Sequence, residues 1–134
     1  MHDHSDGIVY RYDEIDIERV SGLSSHMVLD NETGYLYICD TGNQRIIKMN
    51  TNTGSINYNL TPYGENIEGY YSMIGVQYET IIDSGLILPT GIDIYENYLI
   101  VSDYTNGDVI FYDLDNLGIN QELKRLHTDR ENDL

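Results

Sequence analysis

The chain has 134 residues, enough for one domain with its own core. Its 23 acidic residues against 7 basic ones give a formal net charge of −16, and no cluster of Lys and Arg forms a phosphate-binding stripe, which argues against nucleic acid as a partner. No apolar stretch approaches the ~18 residues of a membrane-spanning helix, and a single cysteine, Cys39, rules out an internal disulfide.

In chain order, the start Met1-His2-Asp3-His4-Ser5-Asp6 lacks the basic and apolar regions of a signal peptide. The compartment stays open: a signal lying upstream would make the protein secreted or periplasmic. Ile15 to Val20 carries charges at alternate positions and predicts a solvent-side edge strand. Met27-Val28-Leu29 predicts a short strand, and Tyr35 to Cys39, β-branched and aromatic between turn residues, predicts a buried one. Asp40-Thr41-Gly42-Asn43 then reads as a turn in which Asp folds back on backbone N–H groups, followed by a strand from Arg45 to Asn50. About 25 residues intervene before the next strand, Gln77 to Ile82. They hold Tyr58, Tyr63, Tyr70 and Tyr71 and suit either a peptide-recognition loop or an extra hairpin. The pattern then recurs, with strands at Ile92-Asp93-Ile94, Tyr98 to Ser102, Asp108 to Asp113 and Gln121 to Leu126, and a turn at Asp103-Tyr104-Thr105-Asn106.

That recurrence is the main signal. Ser21-Gly22-Leu23 returns as Ser84-Gly85-Leu86, an offset of 63, and an aspartate follows each glycine by 18 residues, at Asp40 and Asp103. The segment His2 to Tyr10 aligns with the same two turns. The units run over residues 1–21 (the second half of one), 22–84 (a full unit with the insertion at about 51–76) and 85–128 (a full unit), with a polar tail at 129–134. Four short strands per unit are the pattern of propeller blades.

Residues 29 to 48, Leu-Asp-Asn-Glu-Thr-Gly-Tyr-Leu-Tyr-Ile-Cys-Asp-Thr-Gly-Asn-Gln-Arg-Ile-Ile-Lys, resemble an NHL repeat. Pro89 to Tyr112 fits more loosely, and the likeness covers about 105 of the 134 residues. The resemblance implies an all-β fold: an incomplete β-propeller of about two and a half four-stranded antiparallel NHL-like blades, where about six close the ring in the family. Open blades leave edges and apolar faces uncovered, so the remaining blades are expected from a longer chain or from self-association.

The geometry this resemblance implies gathers the strand-entry loops and the Asp-containing turns on one face. The candidate ligand-binding face is His26, Asp40, Asn43, Asp103, Tyr104 and Asn106, with a protein or peptide as the expected partner. Asp40 and Asp103 also have a structural reading, as turn residues that recur because each turn needs them, with Arg45 pairing with Asp40. His2, His4 and His26 are candidate ligands for a divalent metal, Zn or Ca, with Asp3 and Asp6 nearby. Peptide-amidating lyases, which resemble NHL propellers, hold zinc through histidines near the starts of inner strands, where His26 falls about one residue out of place. Gluconolactonase-like hydrolases, which resemble the Asp103 region, use a divalent ion held by Glu, Asn and Asp; here Thr90-Gly91 stands where that resemblance implies an Asn-Gly. No Gly-x-Ser-x-Gly, phosphate loop or Cys-x-x-Cys occurs. The first expectation is therefore a non-catalytic scaffold that binds or assembles through its polar turn face, with a metal-dependent propeller enzyme as the alternative.

Overall fold

The computed structural model describes residues 9–57, 70–117 and 121–128. His2, Asp3, His4, Asp6, Tyr58, Tyr63 and the tail at 129–134 lie outside the described residues.

The fold is all-β. Its strands are β1 (Val9–Arg11), β2 (Met27–Asp30), β3 (Tyr35–Asp40), β4 (Arg45–Asn50), β5 (Ser55–Ile56), β6 (Tyr70–Ile74), β7 (Tyr78–Ile82), β8 (Pro89–Tyr95), β9 (Tyr98–Asp103), β10 (Asp108–Asp113) and β11 (Glu122–His127). They form a first sheet in the order β2-β3-β4-β7, a second in the order β8-β9-β10-β11 and a small third one, β1-β6-β5. Both four-stranded sheets are antiparallel throughout.

The offset of 63 carries through to backbone register. Cys39 faces Ile46 across β3 and β4, and Ser102 faces Val109 across β9 and β10, at equivalent positions. The connecting turn needs one residue with positive φ. The first unit supplies Gln44 (φ 57°) and the second its equivalent, Gly107 (φ 66°). Glycine holds that conformation without a Cβ penalty, whereas Gln44 is stabilised by its N–H donating to Thr41 O at 3.2 Å.

The same offset relates the packing faces. Strand alternation sends Tyr37, Cys39 and Ile46 to one side of the first sheet, where they join Leu99, Val101, Ile110 and Tyr112 of the second sheet in one buried cluster. Subtracting 63 from those four gives Leu36, Ile38, Ile47 and Met49, which lie on the opposite side of the first sheet, within a second cluster with Ile15 and Val76. The two sheets therefore pack head to tail, one kind of face against the other, as stacked repeats do. Cys39 is wholly buried between them, and burial pushes its thiol up to about 12.

An extra hairpin is one of the two readings the insertion allowed, and one expectation elsewhere, the strand at residues 15–20, differs from what is observed. The insertion contains a hairpin, β5 with β6, and β1 adds to it in parallel at Val9↔Tyr70 to Arg11↔Ser72. Residues 15–20 form no strand, because their polar backbone groups are used at the first hairpin turn instead of in a ladder. Glu18 N–H donates to Asp40 Oδ1 at 2.8 Å, Glu18 O accepts from Gly42 N–H at 2.8 Å, and Asp16 O accepts from Arg45 Nη2 at 2.7 Å. Alternating charge marked the segment as exposed without specifying what its backbone would bond to.

Gly42 permits this docking. A Cβ there would fall 2.6 Å from Glu18 O, a backbone atom held by its own bonds. Gly42→Ala is expected to lift residues 15–20 off the turn, uncover Ile15 and cost about 1–3 kcal/mol in urea unfolding. Gly22→Ala gives the contrasting case, since nothing lies within 4 Å of the added methyl and only its positive φ of 84° opposes the change.

Candidate functional site

The two Asp-containing turns lie at the end of the sheets where the chain enters each unit, and the structure brings most of the candidate face together there. His26 N–H donates to Thr90 O at 3.0 Å, joining the start of β2 to β8. Thr41 Oγ1 donates to Pro89 O at 2.7 Å and lies 2.6 Å from Ser25 Oγ. The Thr41 hydroxyl, with Ser25 beside it, and the His26 backbone thus tie the two sheets at this end.

The aspartates themselves face inward. Asp40 is fully buried, and its carboxylate accepts from Glu18 N–H, Asn43 Nδ2 (2.9 Å) and Arg45 Nε (2.6 Å). Asp103, 1% exposed, accepts from Ile87 N–H at 2.7 Å, Leu88 N–H at 3.1 Å and Thr105 N–H at 3.2 Å. In each unit a buried carboxylate at the end of the second strand captures the segment that leads into the first. Backbone bonds reinforce both captures, from Gly42 N–H to Glu18 O and from Tyr104 N–H to Leu88 O. Anionic oxygens that accept charge-assisted bonds in a buried setting are held firmly. These two carboxylates fasten the chain and present little to a ligand.

His26, Asn43, Tyr104 and Asn106 are exposed, Tyr104 to 58%. They form a polar rim around the aspartates. His26 gathers no metal-binding set, since no group of three or more His, Cys, Asp or Glu side chains that could hold an ion occurs among the described residues.

A second polar cluster was not singled out from the sequence. The offset of 63 places Asp108 where the first unit has Arg45, so that Asp103 and Asp108 face each other in the ladder. Asp103 turns to the backbone, and Asp108 recruits two side chains of β11, Arg125 through Nη1 at 2.5 Å and His127 through Nδ1 at 2.5 Å. The His127 hydrogen bond, then Arg125, holds the Asp108 carboxyl below its usual range against the opposing effect of burial. Arg125 also binds Glu122 through both nitrogens of its fork and reaches Gly85 O at 2.9 Å. The signal available in the sequence was the mismatch itself: an acid replacing a base at an equivalent position requires a new cation nearby.

Among the described residues, no helix is long and apolar enough to cross a membrane. No protein-family model matches the sequence, and no curated protein matches it.

Proposed function

We propose that the two four-stranded sheets are successive blades of an NHL-like β-propeller segment, and that the protein is a non-catalytic assembly scaffold. The observation that carries this reading is the head-to-tail packing related by the offset of 63. The face of the first sheet that receives the second has its equivalent on the second sheet, at Ile100, Ser102 and Val109 with Phe111 beside them. Those residues are only half-buried, and Tyr98 (40% exposed) and Leu126 (43%) extend the patch. An apolar face built like one that already holds a sheet is suited to hold another.

The occupant we assign to it is a second copy of this chain. The polar rim of His26, Asn43, Tyr104 and Asn106 supplies a further contact surface for a protein or peptide partner. Sedimentation velocity over a broad concentration range tests the assembly reading. The wild-type mass is expected to rise with concentration, and Ile100→Asp or Phe111→Asp is expected to hold the protein monomeric while far-UV circular dichroism stays unchanged. A wild type that remains monomeric throughout overturns self-assembly through this face.

A further inference from the structure

In the pair of sheets already formed, the face of the first bearing Tyr37, Cys39 and Ile46 receives Leu99, Val101, Ile110 and Tyr112 of the second. A second copy adding head to tail to the open face of the second sheet would have to offer the equivalents of those four, Leu36, Ile38, Ile47 and Met49. That seat is filled. Ile38, Ile47 and Met49 are buried with Ile15 and Val76, and Tyr12, Leu36 and Met73 pack against them. Polar contacts fasten this cover: Glu14 Oε1 accepts from Gly75 N–H at 2.7 Å, and Asp13 Oδ2 accepts from Ser72 Oγ at 2.9 Å. The seat that head-to-tail growth requires is thus occupied by the chain's own residues.

The open face carries a complement to itself. One row across it runs Asp93, Ile100, Phe111, Lys124, each directly opposite the next in the three ladders of the sheet. Directly opposite residues share a face, so the row presents an anion on β8, two apolar side chains in the middle and a cation on β11. Both ends are exposed, and neither Asp93 nor Lys124 belongs to an ion pair among the described residues. Asp93 Oδ1 accepts only the neighbouring Ile94 N–H, at 2.8 Å. Val109 and Leu126 face each other in the adjoining row, and Tyr98 meets Phe111 edge to face with 6.0 Å between centroids.

We propose that two copies meet through this face about a two-fold axis that runs along the strands, between β9 and β10. Such an axis lays β9 of each copy over β10 of the other and turns the row end for end, so that Ile100 meets Phe111 and Asp93 meets Lys124, each twice. An axis running across the strands along the row would set Asp93 on Asp93 and Lys124 on Lys124, and those like charges oppose it. The apolar centre supplies attraction, and the two symmetric ion pairs fix the orientation. Assembly then ends at two copies. The inference rests on the self-assembly reading above and adds to it a symmetry and a limit.

Sedimentation velocity at low ionic strength on the wild type, Asp93→Lys, Lys124→Glu and the double variant tests it. The wild-type mass is expected to level off at two copies. Each single reversal sets like charges together at both contacts and should weaken dimerisation about tenfold or more. The double variant exchanges the two ends of the row and should return close to wild type. An equal mixture of the two single variants should form a mixed dimer, because opposite charges then meet at both contacts. Both positions are exposed, so far-UV circular dichroism should match in all four proteins. Wild-type growth past two copies, single reversals that dimerise as the wild type does, or a double variant and a mixture no better than the singles would overturn the two-fold arrangement alone. A wild type monomeric at every concentration overturns the self-assembly reading and this inference with it.

Discussion

Asp40→Ala is expected to lower the melting temperature by roughly 10 °C, corresponding to a loss of about 3 kcal/mol. The carboxylate is inaccessible to water and accepts three bonds, from Glu18 N–H, Asn43 Nδ2 and Arg45 Nε. Its removal takes the anionic partner from a guanidinium only 24% exposed and the acceptor from the Glu18 N–H. It also frees residues 15–20, which cover Ile47 and Met49 through Ile15. Asp40→Asn keeps the shape and one acceptor oxygen and should lose about half as much. Differential scanning calorimetry of the two variants checks the order; equal, small losses in both would mean that the turn closes without the carboxylate.

Leu99→Ala is expected to cost about 2–5 kcal/mol in urea unfolding. Leu99 is fully buried in β9, in the cluster shared by both sheets, and its neighbours there are held in register by ladders on either side. A cavity at that place cannot collapse without separating the sheets. Leu123→Ala, on the outer strand β11 at 56% exposure, should fall within about 0.5 kcal/mol of wild type. If Leu99→Ala proves equally mild, the two sheets do not share a cooperative core.

Much of the fold was legible in the sequence because strand and turn chemistry are local. The runs Tyr35–Asp40 and Tyr98–Asp103, the closing Asp-containing turns and the outer strands Tyr78–Ile82 and Glu122–His127 all follow from β-branched residues between punctuating Asp, Asn and Gly. Residues 15–20 were read as a strand because alternation reports exposure, while the carbonyls and amides that decide the matter pair with residues 40–45. Of the candidate face, the role of Asp40 and Asp103 as chain fasteners could be foreseen from their recurrence. The Asp108, Arg125 and His127 cluster could not, since it depends on which strand lies beside β10.

The wholly buried position of Cys39 turns the one thiol of the chain into a built-in gauge of the separation of the two sheets. With the thiol pushed up to about 12, the reactive thiolate is scarce at neutral pH, and reagent cannot reach it while Tyr37, Ile46 and the second sheet stay closed over it. Alkylation therefore proceeds only through openings of the inter-sheet core, and its rate measures their frequency directly. The chain needs no engineered probe: whatever tightens the two sheets against each other slows the chemistry of this one sulfur, and whatever pries them apart speeds it.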